Sequence, residues 1–177
     1  MSNNVFFTSD THFYHRNILK FTNRTSFCST IEEHDEELIK RWNSVVSKND
    51  LIYHLGDFSF AKELNYFYDI LTRLNGRKFW ILGNHDHLDR FSNVILSEFE
   101  WIRDYYVIPQ KQFGQHIVLF HYPMREWYQY YRGSWHLYGH VHGEINDFGK
   151  SMDVGIDAHE EFRPFSFEEV QKNLEKL

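Results

Sequence analysis

The chain has 177 residues, which fits one domain (1–177) with room for a sizeable core. Apolar residues make up 42% and charged residues 25%, the balance of an ordinary globular protein. The formal net charge of −6 argues against a broad electrostatic footprint for duplex nucleic acid, without excluding a local basic groove.

The opening MSNNVFFTSDTHF has neither a positive leader nor a long apolar core, so no signal peptide is expected. No apolar run reaches about 18 residues, so no membrane span is expected. VFFTS (5–9), LIYHL (51–55), KFWIL (78–82) and HIVLF (116–120) read as buried strands. WHLYG (135–139) and SMDVGID (151–157) carry a fainter strand pattern. Between them, Thr30-Ile31-Glu32-Glu33 reads as a capping box opening a helix with Ile31, Leu38, Trp42 and Val45 on one face. Ser59 is placed to cap a second helix, with Leu64, Phe67, Leu71 and Leu74 as its apolar face and Asn75-Gly76 as its stop. Ser166-Phe167-Glu168-Glu169 repeats the box, with Phe165 and Val170 as a hydrophobic staple. Short strands feeding helices through short loops make one α/β domain.

The candidate strands end in the same chemistry: TSDTH, HLGD, LGNHD, LFHYP and LYGHVHG. In open α/β sheets ligands bind beyond the carboxyl ends of the strands, so these loops are expected to converge. They contribute Asp10, His12, Asp57, Asn84, His85, Asp86, His121, His140 and His142. Imidazole, carboxylate and amide oxygen without thiolate suit Mn²⁺ foremost, with Fe²⁺, Zn²⁺ or Ni²⁺ as alternatives. The set exceeds one tetrahedral site, and two divalent ions sharing a carboxylate would use all of it. Each fragment also has a bland reading. Gly56-Asp57 can be a plain turn and Gly83-Asn84-His85-Asp86 a cap, while His121 can be a satisfied core histidine. His140-Val141-His142 can be a strand segment with one imidazole buried and the other solvated. Five such fragments in order, each at a strand end, outweigh those readings.

The order Asp10-x-His12, Gly56-Asp57, Gly83-Asn84-His85-Asp86, His121 and Gly139-His140-x-His142 resembles the calcineurin-like metallophosphoesterases, over residues 5–142. The resemblance implies a four-layer α/β/β/α sandwich, two mixed sheets flanked by helices. It implies that Asp10, His12, Asp57 and His142 hold one ion, and that Asp57, Asn84, His121 and His140 hold the other, with Asp57 bridging. His85 would sit over the substrate as the acid for the leaving group, with Asp86 orienting its imidazole. Many members carry an Asp or Arg shortly after Gly-Asp, where this chain has Phe58-Ser59-Phe60.

Such a centre would hydrolyse a phosphodiester or phosphomonoester by in-line attack of a hydroxide bridging the ions. His15, Arg16 and Arg125 are the candidate substrate contacts; His54 reads as packing or as support behind the metal ligands, and His34 as a solvated helix residue. The segment YPMREWYQYYRGSWHLYGH interleaves aromatics with Arg125 and Arg132, either to stack on a base and grip phosphate or to pack. A small nucleotide-like ester is the favoured partner. A nuclease is the alternative, disfavoured by the acidic balance, and a non-catalytic scaffold is disfavoured by the complete ligand set. Cys28, the sole cysteine, excludes an internal disulfide and a Cys-based zinc site, and suits a reducing cytoplasm.

Overall fold

The alternation along the first strands divides their side chains between two cores. In the computed structural model, which describes residues 3–175, the strands are β1 (Val5–Thr8), β2 (Leu51–His54), β3 (Arg77–Ile81), β4 (Phe99–Arg103), β5 (Tyr105–Ile108), β6 (Ile117–Phe120), β7 (Trp135–Tyr138), β8 (Ser151–Asp153) and β9 (Phe165–Ser166). The helices are α1 (Ile18–Phe21), α2 (Ile31–Val45), α3 (Leu64–Arg73), α4 (Asn93–Leu96), α5 (Gln110–Phe113) and α6 (Phe167–Leu174).

One sheet has the order β4-β3-β2-β1-β9 and the other β5-β6-β7-β8. The first is parallel from β1 to β4, with β9 antiparallel at its edge. The second is parallel from β6 to β8, with β5 antiparallel. Both sheets are therefore mixed. Phe6, Ile52 and Trp80 turn to one side, where they pack with Leu38 and Trp42 of α2 and Phe67 and Leu71 of α3. Phe7, Tyr53 and Ile81 turn to the other, against Ile117, Leu119, Trp135 and Leu137 of the second sheet. A two-residue period thus fills two layers at once. Helix α6 closes the gap at one edge, with Val170 and Leu174 in the inter-sheet core. The opposite face of the second sheet, Val118 and His136, is covered by the segment after His121: Trp127 packs on His136 at 5.2 Å.

Several local expectations are corrected. Ser59 does not cap a helix; its hydroxyl donates to Phe13 O and accepts from Ala61 N, holding an extended bridge, and α3 starts later, at Leu64. The Thr30 hydroxyl accepts from Glu33 N as expected, but the Glu33 carboxylate accepts from Ser29 N, one residue before the cap. The Ser166 box closes in both directions. The expected strand over 151–157 stops at Asp153, and residues 156–158 form a 3-10 turn. Strands β4, β5 and β9 were not expected. Charged Glu100, Arg103 and Asp104 obscure the first two, and two residues are too few to show a period in the last.

Candidate metal centre

The loops leaving β1, β2, β3, β6 and β7 meet at one edge, and the backbone there is strained. Asp10, His12, Asp57, His140 and His142 all have positive φ, between 50° and 71°. L-residues in that region cost about 1–3 kcal/mol each, and such strain concentrates where side chains must be aimed at a ligand. His140 and His142 therefore do not lie along an extended segment as expected. They sit in consecutive left-handed turns. Glycine is required between them and the carboxylates: a Cβ on Gly83 would run into the Asp57 side chain, and one on Gly139 into Ser9 and Asp10.

The geometry yields two groups of donors. Asp10, His12 and His142 form one, and Asp57, His121 and His140 the other, with the donor atoms of each group within 4.8 Å of one another. Asp57 Oδ2 stands between them, 3.7 Å from His12 Nε2 and 3.7 Å from His121 Nε2. Its Oδ1 accepts the backbone N–H of His85 at 2.9 Å, which fixes the carboxylate. His121 Nδ1 donates to Leu55 O at 2.7 Å, so Nε2 carries a free lone pair. That nitrogen faces Asn84 Oδ1 at 3.1 Å, two acceptors converging on one point. His142 Nδ1 likewise donates to Asp157 at 2.7 Å and presents Nε2.

A cation resolves what these contacts leave unsatisfied. Among the described residues, Asp10 Oδ1 and both ring nitrogens of His12 are buried without a hydrogen-bond partner. Each such atom costs about 1–3 kcal/mol unless something coordinates it. Burial by itself would raise the Asp10 pKa, but His12, His121 and His142 outweigh it and hold the carboxyl well below its ordinary range. Burial pushes His12 down despite Asp10, and pushes His140 down with help from His121, favouring neutral imidazoles with lone pairs to give. These are the donors a divalent ion needs, and the residues fit it.

The chain belongs to the calcineurin-like phosphoesterase family, whose model matches residues 4–98. It is a metal-dependent phosphoric ester hydrolase. Uncharacterized protein MJ1445 of Methanocaldococcus jannaschii is 32% identical over 97% of this chain and 92% of that protein. Gene 66 protein of Mycobacterium phage D29 is 29% identical over 91% of this chain and 92% of its own. A solved structure, the protein of unknown function AQ665 from Aquifex aeolicus, superposes with a TM-score of 0.72 at 27% identity, covering 97% of this chain and all of that one. The metallophosphoesterase fold expected from the motifs is the one found.

Around the centre, the remaining candidates divide. His85 is half exposed, with Nε2 4.0 Å from Asp57 Oδ2. Asp86 does not orient its imidazole. The Asp86 carboxylate instead accepts three backbone N–H groups, from Asp57 at 2.7 Å, Gly83 at 2.8 Å and Phe58 at 3.0 Å. It ties the β2 and β3 loops together, Oδ2 accepting two of these bonds and Oδ1 one. Burial pushes its pKa up to about 6 against those N–H donors. His15 stacks on Phe60 at 3.9 Å, beside His12. Arg16 is exposed and pairs with Glu32 at 3.4 Å. Arg125 lies 4.4 Å over the Phe148 ring. Phe60 packs on His12 and on His85.

The support beneath the first donor group carries no motif in the sequence. Arg24 is fully buried. It donates to both Asp157 oxygens and to the carbonyls of Asp10 and Thr11. His34, expected in solvent, is buried between Arg24 and Asp35. Asp157, likewise not expected at the site, is reached because the chain turns after Asp153. The local signal was an unexplained carboxylate just past a short strand.

Proposed function

We propose that this phosphoesterase works through a pair of divalent ions. Asp10, His12, Asp57 and His142 would surround one, and Asp57, Asn84, His121 and His140 the other. The observation that carries the reading is Asp57 Oδ2, equally distant at 3.7 Å from a histidine of each donor group. Bound there, divalent ions supply water activation near neutral pH and neutralisation of phosphoryl charge. Mn²⁺ suits the imidazole, carboxylate and amide donors.

The protein residues supply orientation and a proton. Leu55 O and Asp157 fix the tautomers of His121 and His142, so each offers a lone pair inward. His85, exposed at the mouth and anchored through its backbone N–H on Asp57, is positioned to protonate the departing oxygen. The favoured substrate is a small nucleotide-like phosphodiester, in keeping with the acidic chain and the open, aromatic surroundings of His85. The buried thiol of Cys28 suits a cytoplasmic setting; among the described residues no helix is long and apolar enough to cross a membrane. Turnover by Mn²⁺-loaded protein across phosphomonoesters, cyclic nucleotides, dinucleotides, single-stranded DNA and RNA tests this. Preference for a small diester supports it, and selective hydrolysis of a polymer replaces it with a nuclease.

A further inference from the structure

A cleft of about 530 Å³ lies next to the metal centre, with His15 and Phe60 of its wall packed on His12. Phe60 lines it and also touches His12 at 5.2 Å and His85 at 4.7 Å. Any ester whose phosphorus sits at the donor groups, with its leaving oxygen at His85, can extend one organic group past Phe60. Phe60 thus borders both the cleft and the donor groups.

Its chemistry has two parts. The inner surface is aromatic: the Tyr14 and Tyr66 rings lie 5.3 Å apart, and the face of Phe60 is backed by the parallel ring of His15. Tyr66 is about half exposed, so apolar surface is held open rather than folded away. The mouth is polar, with Arg16, Asn17 and Lys62 at its edge. Arg16 is held only by an exposed pair with Glu32, which a ligand can displace at little cost. The flat faces of these rings match a planar group over a larger area than a branched aliphatic one. A flat heterocycle uses both parts, its face on the rings and its heteroatoms at the polar mouth.

We propose that this cleft is a nucleobase subsite, and that the substrate is a small nucleoside phosphoester bound with its base against Phe60, Tyr14 and Tyr66. This rests on the phosphoryl group occupying the metal centre, and it names the organic group that the centre alone leaves open. Glu63 at the mouth and the net charge of −6 favour a single nucleoside over a polymer.

The test is calorimetry of Mn²⁺-loaded protein with adenosine 5′-monophosphate, ribose 5-phosphate and inorganic phosphate. The monophosphate should bind about tenfold or more tighter than ribose 5-phosphate, the size expected of one base stacked on aromatic side chains. In Tyr66→Ala, a change on the exposed side of α3, that ratio should fall toward one. Equal affinity for the two sugars in the wild type, or an unchanged ratio in Tyr66→Ala, overturns the subsite. Failure of inorganic phosphate to bind overturns the two-ion reading instead, while the cleft is still judged by the ratio.

Discussion

Asp157 joins His142 to Arg24: one carboxylate oxygen accepts from His142 Nδ1 and from the Arg24 guanidinium, each at 2.7 Å. The pair is nearly sealed from solvent, and Arg24 in turn holds the carbonyls of Asp10 and Thr11. A single buried cation thus fixes both the backbone carrying Asp10 and the tautomer of His142. Burial alone would raise the Asp157 pKa, but Arg24 and His142 bring it below the ordinary carboxylate range. Asp157→Asn keeps the shape and removes the charge. It should weaken ion binding at the Asp10–His12–His142 group by about 10–100-fold. Mn²⁺ titration followed by electron paramagnetic resonance reads this directly, and unchanged occupancy of both positions would discount the bridge.

His85 makes its anchoring contact through the backbone, so its imidazole can be removed without disturbing Asp57. His85→Ala should retain the metal content of the wild type and lose about 10²–10⁴-fold in kcat. Elemental analysis and turnover on an aryl phosphodiester, measured on the same preparation, separate the two effects. Near-normal turnover would remove His85 from the proton transfer.

Asp86 predicts the opposite pattern. Its truncation frees three backbone N–H groups at the two turns that present Asp57 and Asn84. A buried donor left unpaired costs about 1–3 kcal/mol, so Asp86→Ala should lower stability by several kcal/mol in urea titration. Metal content should fall with it, because the Asp57 N–H loses the carboxylate acceptor that holds this left-handed turn. A variant that is as stable as the wild type but slow would restore Asp86 to a role at His85.

The contrast between those two neighbours shows what the sequence could and could not convey. The donors were legible because a parallel sheet delivers strand ends to one edge, so a motif at each strand end is already a spatial statement. The roles behind them were not. Asp86 adjoins His85 in sequence, yet the tight turn from Gly83 points the two side chains to different jobs. Arg24 lies in FTNRTSFC, with no apolar period to mark it as buried, and meets Asp157 only through a contact 133 residues away. His34 looked solvated because its helix is charged, although Arg24 buries that particular position. Long-range polar pairing has no local pattern; strand ends do.

Acid sensitivity should trace in part to His136, on the covered face of the second sheet. Its ring is buried against Trp127, with Nδ1 at Val118 O and Nε2 beside Met124 N. Burial drives its pKa down from 6.5 to about 4, only partly offset by the carbonyls of Val118 and Tyr122. The sign follows from proton counting. Between about 6.5 and about 4 the unfolded chain holds a proton on this ring that the native chain does not, so stability falls as pH drops through that window. Above 6.5 both states are neutral and the contribution is flat. From pH 7.5 to pH 4.5 the loss from this residue is about 2–3 kcal/mol. Urea denaturation at those two pH values should show His136→Gln losing correspondingly less stability than the wild type, whatever its stability at pH 7.5. Equal losses in the two proteins would mean that the native ring takes up its proton as readily as the unfolded one, and that the covering segment admits water to it.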